Sequence, residues 1–250
     1  MRYAEFELNK NHWDQFLVRA RAIVPQGPIG VPPSAWVTRC LGGETDVPNG
    51  LSKERLTRKQ VEDICRDRDV NPLVGYICAM AWGGQRNLPR GEYLGSAVEA
   101  WRQRDEIYGK CEELRDCVDA SSAYSIFGDG NSIRGLGPAY FSKLISFFVS
   151  GDKFFIMDQW TARSVNLLLK SPVVDLLFQN SKSGARKNAA VSNKNDGPTY
   201  ERFCSAIEFI SIEYKEATGE YISPRDLEIK LFDTGGKSPG PWRSYLREKG

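Results

Sequence analysis

The sequence predicts an all-α fold. Apolar residues recur at helical spacing along most of the 250 residues, and Thr, Asn or Ser caps, often followed by Pro, stand where such stripes begin. At 41% hydrophobic residues the chain has ample material for a core, as one large domain or two small, closely packed halves.

Taken in order, helices are expected at 9–23, 57–67, 72–81, 94–118, 120–127, 138–149, 161–169, 199–217 and 224–232. The proline- and glycine-rich stretch from Gln26 to Pro33 reads as extended linker, passing with Trp36 over the core. Thr57-Arg58-Lys59-Gln60 is a capping box, in which the Thr side chain and Gln60 satisfy each other's backbone donors. Asn71 is a good N-cap and Pro72 a good first residue; the helix they start is apolar and breaks at Gly83-Gly84. Ser132-Ile133-Arg134-Gly135-Leu136-Gly137-Pro138 supplies the glycines of a turn and then a proline suited to a first helical position. In the helix that follows, Phe141, Leu144, Ile145 and Phe148 form one apolar stripe, and Gly151-Asp152 ends it. Phe154-Phe155-Ile156-Met157 leads on to Asp158, placed at the N-terminus of the next helix, where dipole and free N–H groups favour a carboxylate. Residues 178–198 are expected to be a flexible loop, and Ser223-Pro224 to start a helix.

A formal net charge of +2 is not strongly basic, so any nucleic-acid surface must be local. Basic residues gather at Arg134 and Lys143, and again in Ser181-Lys182-Ser183-Gly184-Ala185-Arg186-Lys187-Asn188. The six cysteines include no C-x-x-C pair and fit neither an iron–sulfur nor a zinc pattern, so no metal and no cofactor is expected. Cys65 and Cys78 fall in expected helices and read as small hydrophobes. The first residues show no signal peptide and no apolar run spans a membrane, which points to a reduced, cytoplasmic setting without a membrane partner. The single histidine, His12, is far in sequence from the glycine turn, so His triads and His metal sites are excluded.

Gly135-Leu136-Gly137, its helix, and Asp158 twenty-one residues after Gly137 together resemble the helix-hairpin-helix DNA glycosylases. Their hairpin reads G-hydrophobic-G, and their essential aspartate follows about twenty residues later. The resemblance is closest to the 8-oxoguanine DNA glycosylase-like branch and covers residues 72–168, with Tyr76-Ile77-Cys78 similar to the corresponding helix there. It implies one helical glycosylase unit over 1–250 in two parts, with an active-site cleft between halves that meet between Asp119 and Gly137. One half, 72–130, would carry a DNA-probing loop at 82–87; residues 131–168 would carry the hairpin and the catalytic aspartate.

The implied activity is extrusion of a damaged or modified base from duplex DNA by a monomer and hydrolysis of its N-glycosidic bond. The substrate would be an oxidised purine such as 8-oxoguanine, or a modified base such as those of phage DNA. Asp158 would stabilise the oxocarbenium-like sugar and orient or deprotonate water. Arg134, Gly135, Leu136, Gly137 and Ala139 would hold the DNA backbone, while Trp82, Gln85 and Arg86 would fill the gap or touch the opposite strand. Trp160, Tyr140 and Gln159 would line the base pocket. Where relatives that also cut the backbone carry a Schiff-base lysine, this chain has Ala139, which implies a monofunctional enzyme. Lys143, one turn further along the same face, leans back towards that position and is the alternative amine.

The residues by themselves leave other readings open. The glycines and Asp158 also make a tight turn and a helix cap; Trp82 also suits a core beside a Gly-Gly turn; Trp160 also suits a core. A non-catalytic DNA-binding module is the competing class, and the discriminating residue is Asp158, since a carboxylate aimed at DNA repels phosphate.

Overall fold

The computed structural model describes residues 3–20, 29–42, 44, 46–85, 87, 95–130, 132–180, 187–233 and 239–249. Among them, in chain order, are α1 (Lys10–Arg19), α2 (Pro33–Cys40), α3 (Arg58–Arg66), α4 (Pro72–Trp82), α5 (Ser96–Trp101), α6 (Arg104–Asp116), α7 (Ala120–Ser125), α8 (Pro138–Phe148) and α9 (Gln159–Leu168). The antiparallel strands β1 (Leu176–Asn180) and β2 (Lys187–Val191) follow, then α10 (Gly197–Thr218), α11 (Pro224–Phe232) and α12 (Pro241–Lys249). The fold is mostly helical, and none of the described helices is long and apolar enough to cross a membrane.

The chain divides into two compact units, one of residues 25–151 and the other of residues 1–24 with 152–250. The glycine turn and α8 therefore belong to the first unit and Asp158 to the second, whereas the sequence reading grouped 131–168 together.

In the first unit α4 is the central element. It is apolar all round, which suits a helix packed on every side, and it lies against α2, α3, α6 and α8. Trp36, Tyr76 and Trp101 pack in series, with ring centroids 6.4 and 6.2 Å apart. The caps expected from sequence are present: Asn71 accepts from Leu73 N, and Thr57 with Gln60 forms the capping box of α3. Buried Arg115 donates to the carbonyls of Cys65, Asp67 and Val70, tying the end of α3 to α6 and satisfying acceptors that α3 leaves open.

In the second unit α9 is central, packed on α1, α10, α11 and α12. Trp242 Nε1 donates to Ser164 Oγ, and Ser164 Oγ to Leu231 O, so one hydroxyl of α9 binds both α11 and α12. The N-terminal segment joins this unit by running antiparallel to the end of α9, with Asn9 N on Leu168 O and Lys170 N on Glu7 O.

Four sequence expectations are corrected. Trp36 does not pass over the core in a linker; it is buried on α2, a helix started by Pro33. The single helix at 94–118 is two helices, with a break at Arg102-Gln103. The span 178–198 is not a loop throughout: it holds most of β1, all of β2 and the start of α10. The reason is the apolar run Leu176-Leu177-Phe178 facing Ala189-Ala190-Val191, which the polar residues between them mask; 181–186 lie outside the described residues. Finally, α12 was not expected at all, although Pro241 opens it and Trp242, Tyr245 and Leu246 bury one face.

Candidate active site

The glycine turn is held from below. Ile133 and Leu136 are buried, and Leu136 N donates to Ile133 O. Gly135 has φ +87°, and a Cβ there would stand 2.2 Å from Ser96 O and 3.1 Å from Ala100 N, so the turn rests directly on the backbone of α5. Only glycine meets both demands. Gln103, at the break between α5 and α6, donates to Glu99 O and Arg134 O and accepts from Arg134 N. Gln85 Nε2 donates to Gly135 O at 3.4 Å.

So braced, the turn presents the start of α8. Gly137 is its N-cap in extended conformation (φ −79°, ψ 176°), no side chain caps the helix, and Pro138 has no N–H to offer. The N–H groups of Gly137 and Ala139 find no acceptor among the described residues. A helix start with open donors and an exposed Arg134 beside it, paired to Glu99 at 3.4 Å, is suited to an anion.

Lys143 lies one turn along α8, 7% exposed. Its stem crosses Gly83, where a Cβ would meet Cδ and Cε at 2.5 and 2.6 Å. The amine turns back to donate to Ala139 O at 2.5 Å and sits 5.3 Å from the ring centre of Tyr140.

Asp158 is the N-cap of α9. Its Oδ1 accepts from Trp160 N at 2.7 Å and Thr161 N at 3.0 Å, while Asp158 N donates to Thr161 Oγ1. Among the described residues Oδ2 takes no hydrogen bond. The backbone leading to Asp158 is pinned by other helices: Ile156 N donates to Glu228 Oε1 at 2.6 Å, Tyr200 OH to Phe155 O at 2.8 Å, and Thr161 Oγ1 to Ile156 O at 2.7 Å. One carboxylate oxygen thus fixes the side chain, and the other takes no hydrogen bond among the described residues.

A family model described as "Putative 8-oxoguanine DNA glycosylase OGG-like protein" matches residues 23–232, a span that includes the glycine turn, Lys143 and Asp158. The chain belongs to this family. Neither a curated protein nor a solved structure matches it. Membership of this family points to DNA glycosylase activity, with DNA as the substrate.

The structure places the remaining expected residues individually. Trp82 ends α4 buried, edge-on to Phe147 at 5.1 Å. Gln85 is 2% exposed and braces the turn, while its carbonyl accepts from Trp36 Nε1 at 2.9 Å. Arg86 lies outside the described residues. Gln159 and Tyr140 are half-buried in the first turns of α9 and α8. Trp160, also half-buried, carries three guanidinium groups: Arg243 at 4.7 Å, Arg247 at 5.3 Å and Arg163 at 5.4 Å from its ring centre.

Sequence reasoning missed Gln103, Glu228, Arg243 and Arg247. For Gln103 and Glu228 no local signal exists, because each acts on backbone 31 and 72 residues away. For the arginines the signal was available in the spacing of α12, whose buried stripe puts Arg243 and Arg247 on one face.

Proposed function

We propose that this protein is a monofunctional DNA glycosylase that extrudes a damaged base from duplex DNA and hydrolyses its N-glycosidic bond, leaving an abasic site. The observation that carries the proposal is Asp158, fixed through Oδ1 by the start of α9 with Oδ2 unbonded among the described residues. As the C1′–N bond lengthens, its electron pair leaves with the base and the sugar acquires oxocarbenium character. The Asp158 carboxylate stabilises that charge and orients the water whose oxygen bonds to C1′, taking its proton.

In this reading the open N–H groups of Gly137 and Ala139 and the guanidinium of Arg134 hold backbone phosphate. Gly135 and Leu136 act beneath them, as packing that presents the helix start. Gln159 and Tyr140 contact the extruded base. Trp160 is assigned to the arginines that cover it rather than to the base. Gln85 acts through the turn it braces, and of the segment 82–87 Arg86 remains the residue proposed to reach the opposite strand. No amine stands at Ala139, and the amine of Lys143 is already donated to a helix carbonyl, which supports hydrolysis over Schiff-base chemistry.

The substrate class proposed is an oxidised purine, in line with the family's description. The test is base excision from duplexes carrying single modified bases, 8-oxoguanine and bulky phage-type modifications among them, scored with and without alkali. Release of an oxidised purine with alkali-dependent strand scission is expected. Release of a bulky modified base alone moves the substrate class, and release of none refutes the activity.

A further inference from the structure

Two half-exposed arginines of α12 have no assigned part in the activity. Arg243 and Arg247 stand four residues apart on one helix face and both rest on the indole of Trp160, the second residue of α9 after its cap Asp158. Neither forms a salt bridge among the described residues. Arg163, buried on the same indole, donates to Leu246 O at 2.6 Å and so fixes α12 against α9. Three cations on one ring repel each other. Burial, with Arg247 adding to it, pushes the guanidinium of Arg163 below its ordinary range; burial does the same to Arg243, against the opposing pull of Asp158 and Asp233. A fold that gathers such charge on a rigid aromatic platform, and keeps it partly open to solvent, is arranged to receive an anion.

We propose that Arg243 and Arg247 bind a backbone phosphate of the DNA strand being processed, beside Asp158. This rests on the glycosylase reading for the identity of the anion. Two guanidinium groups on one helix face, 4.7 and 5.3 Å from the Trp160 ring centre, suit phosphate oxygens. Arg243 is partly held, donating to Phe232 O, whereas Arg247 makes no hydrogen bond among the described residues. Arg247 is therefore the cleaner residue to change.

The experiment measures DNA affinity against salt concentration for the full chain, on an unmodified duplex and on one carrying an abasic-site analogue. Arg247→Gln should lower the magnitude of the log–log slope by about 0.9, the change expected for one phosphate contact, on both duplexes. Arg247→Lys should restore it, and Lys215→Gln on the exposed side of α10 should leave it unchanged. Thermal unfolding of each variant separates lost contact from lost fold. A wild-type slope in folded Arg247→Gln and Arg243→Gln overturns the proposal, as does a loss confined to the abasic-site duplex, which would put these arginines on the nucleoside. Wild-type protein that binds neither duplex refutes the glycosylase reading itself.

Discussion

Lys143 donates its amine to the carbonyl oxygen of Ala139, 2.5 Å away and one helical turn back. The lysine therefore points at the position where relatives that cut the backbone keep their nucleophile, yet its amine is engaged there as a hydrogen-bond donor. To act as a nucleophile the amine would have to be deprotonated and turn from this carbonyl toward C1′.

Borohydride should accordingly trap no covalent protein–DNA adduct, and strand scission should appear only after alkali. An adduct that disappears in Lys143→Gln would show that the amine leaves Ala139 and attacks C1′. Gly83→Ala gives an independent check, since its Cβ would displace the Lys143 stem. If Lys143 is not the nucleophile, this variant should change base release less than a few-fold.

The support of the glycine turn predicts unequal costs for two substitutions. Gly135→Ala meets both a left-handed backbone and Ser96 O at 2.2 Å, whereas Gly84 has φ +69° with open space around it. Gly84→Ala should cost about 1–2 kcal/mol, the left-handed penalty alone, and Gly135→Ala about 2–4 kcal/mol. Urea unfolding measures both. Equal costs would mean the turn does not bear on α5.

Gly137→Asp separates stability from binding. Aspartate is a favoured N-cap and the site has extended backbone, so α8 should hold or gain about a few tenths of a kcal/mol. The same carboxylate takes the open N–H groups and repels phosphate, so DNA affinity should fall by at least an order of magnitude. Unchanged affinity in the folded variant would assign Gly137 to the turn alone.

The parts legible in the sequence are those encoded by neighbouring residues. Asn71-Pro72, Thr57 with Gln60, and Gly137-Pro138 announce α4, α3 and α8, and their ends agree with expectation to within a residue or two. The placement of Asp158 at a helix start follows from the same local logic. What stayed hidden depends on tertiary partners. Gln103 lies at the break between α5 and α6, where its side chain serves the turn at Arg134. Trp36 is core because Tyr76 and the carbonyl of Gln85 receive it. The β1–β2 hairpin hid behind the polar composition of the residues joining its strands. Trp160 reads from sequence as a base-pocket or core residue, and the arginines over its ring come from a helix 81 residues or more along the chain.

The central claim is that Asp158 performs the chemistry through the carboxylate oxygen that takes no hydrogen bond among the described residues. Asp158→Asn tests it most directly, because asparagine caps helices as well as aspartate does and retains the oxygen that Trp160 N and Thr161 N require. Stability should stay within about 0.5 kcal/mol of wild type. DNA binding should persist. Single-turnover base release from the preferred duplex should fall by about 10²–10⁴-fold. A folded, DNA-binding Asp158→Asn protein that releases the base at the wild-type rate would contradict the account.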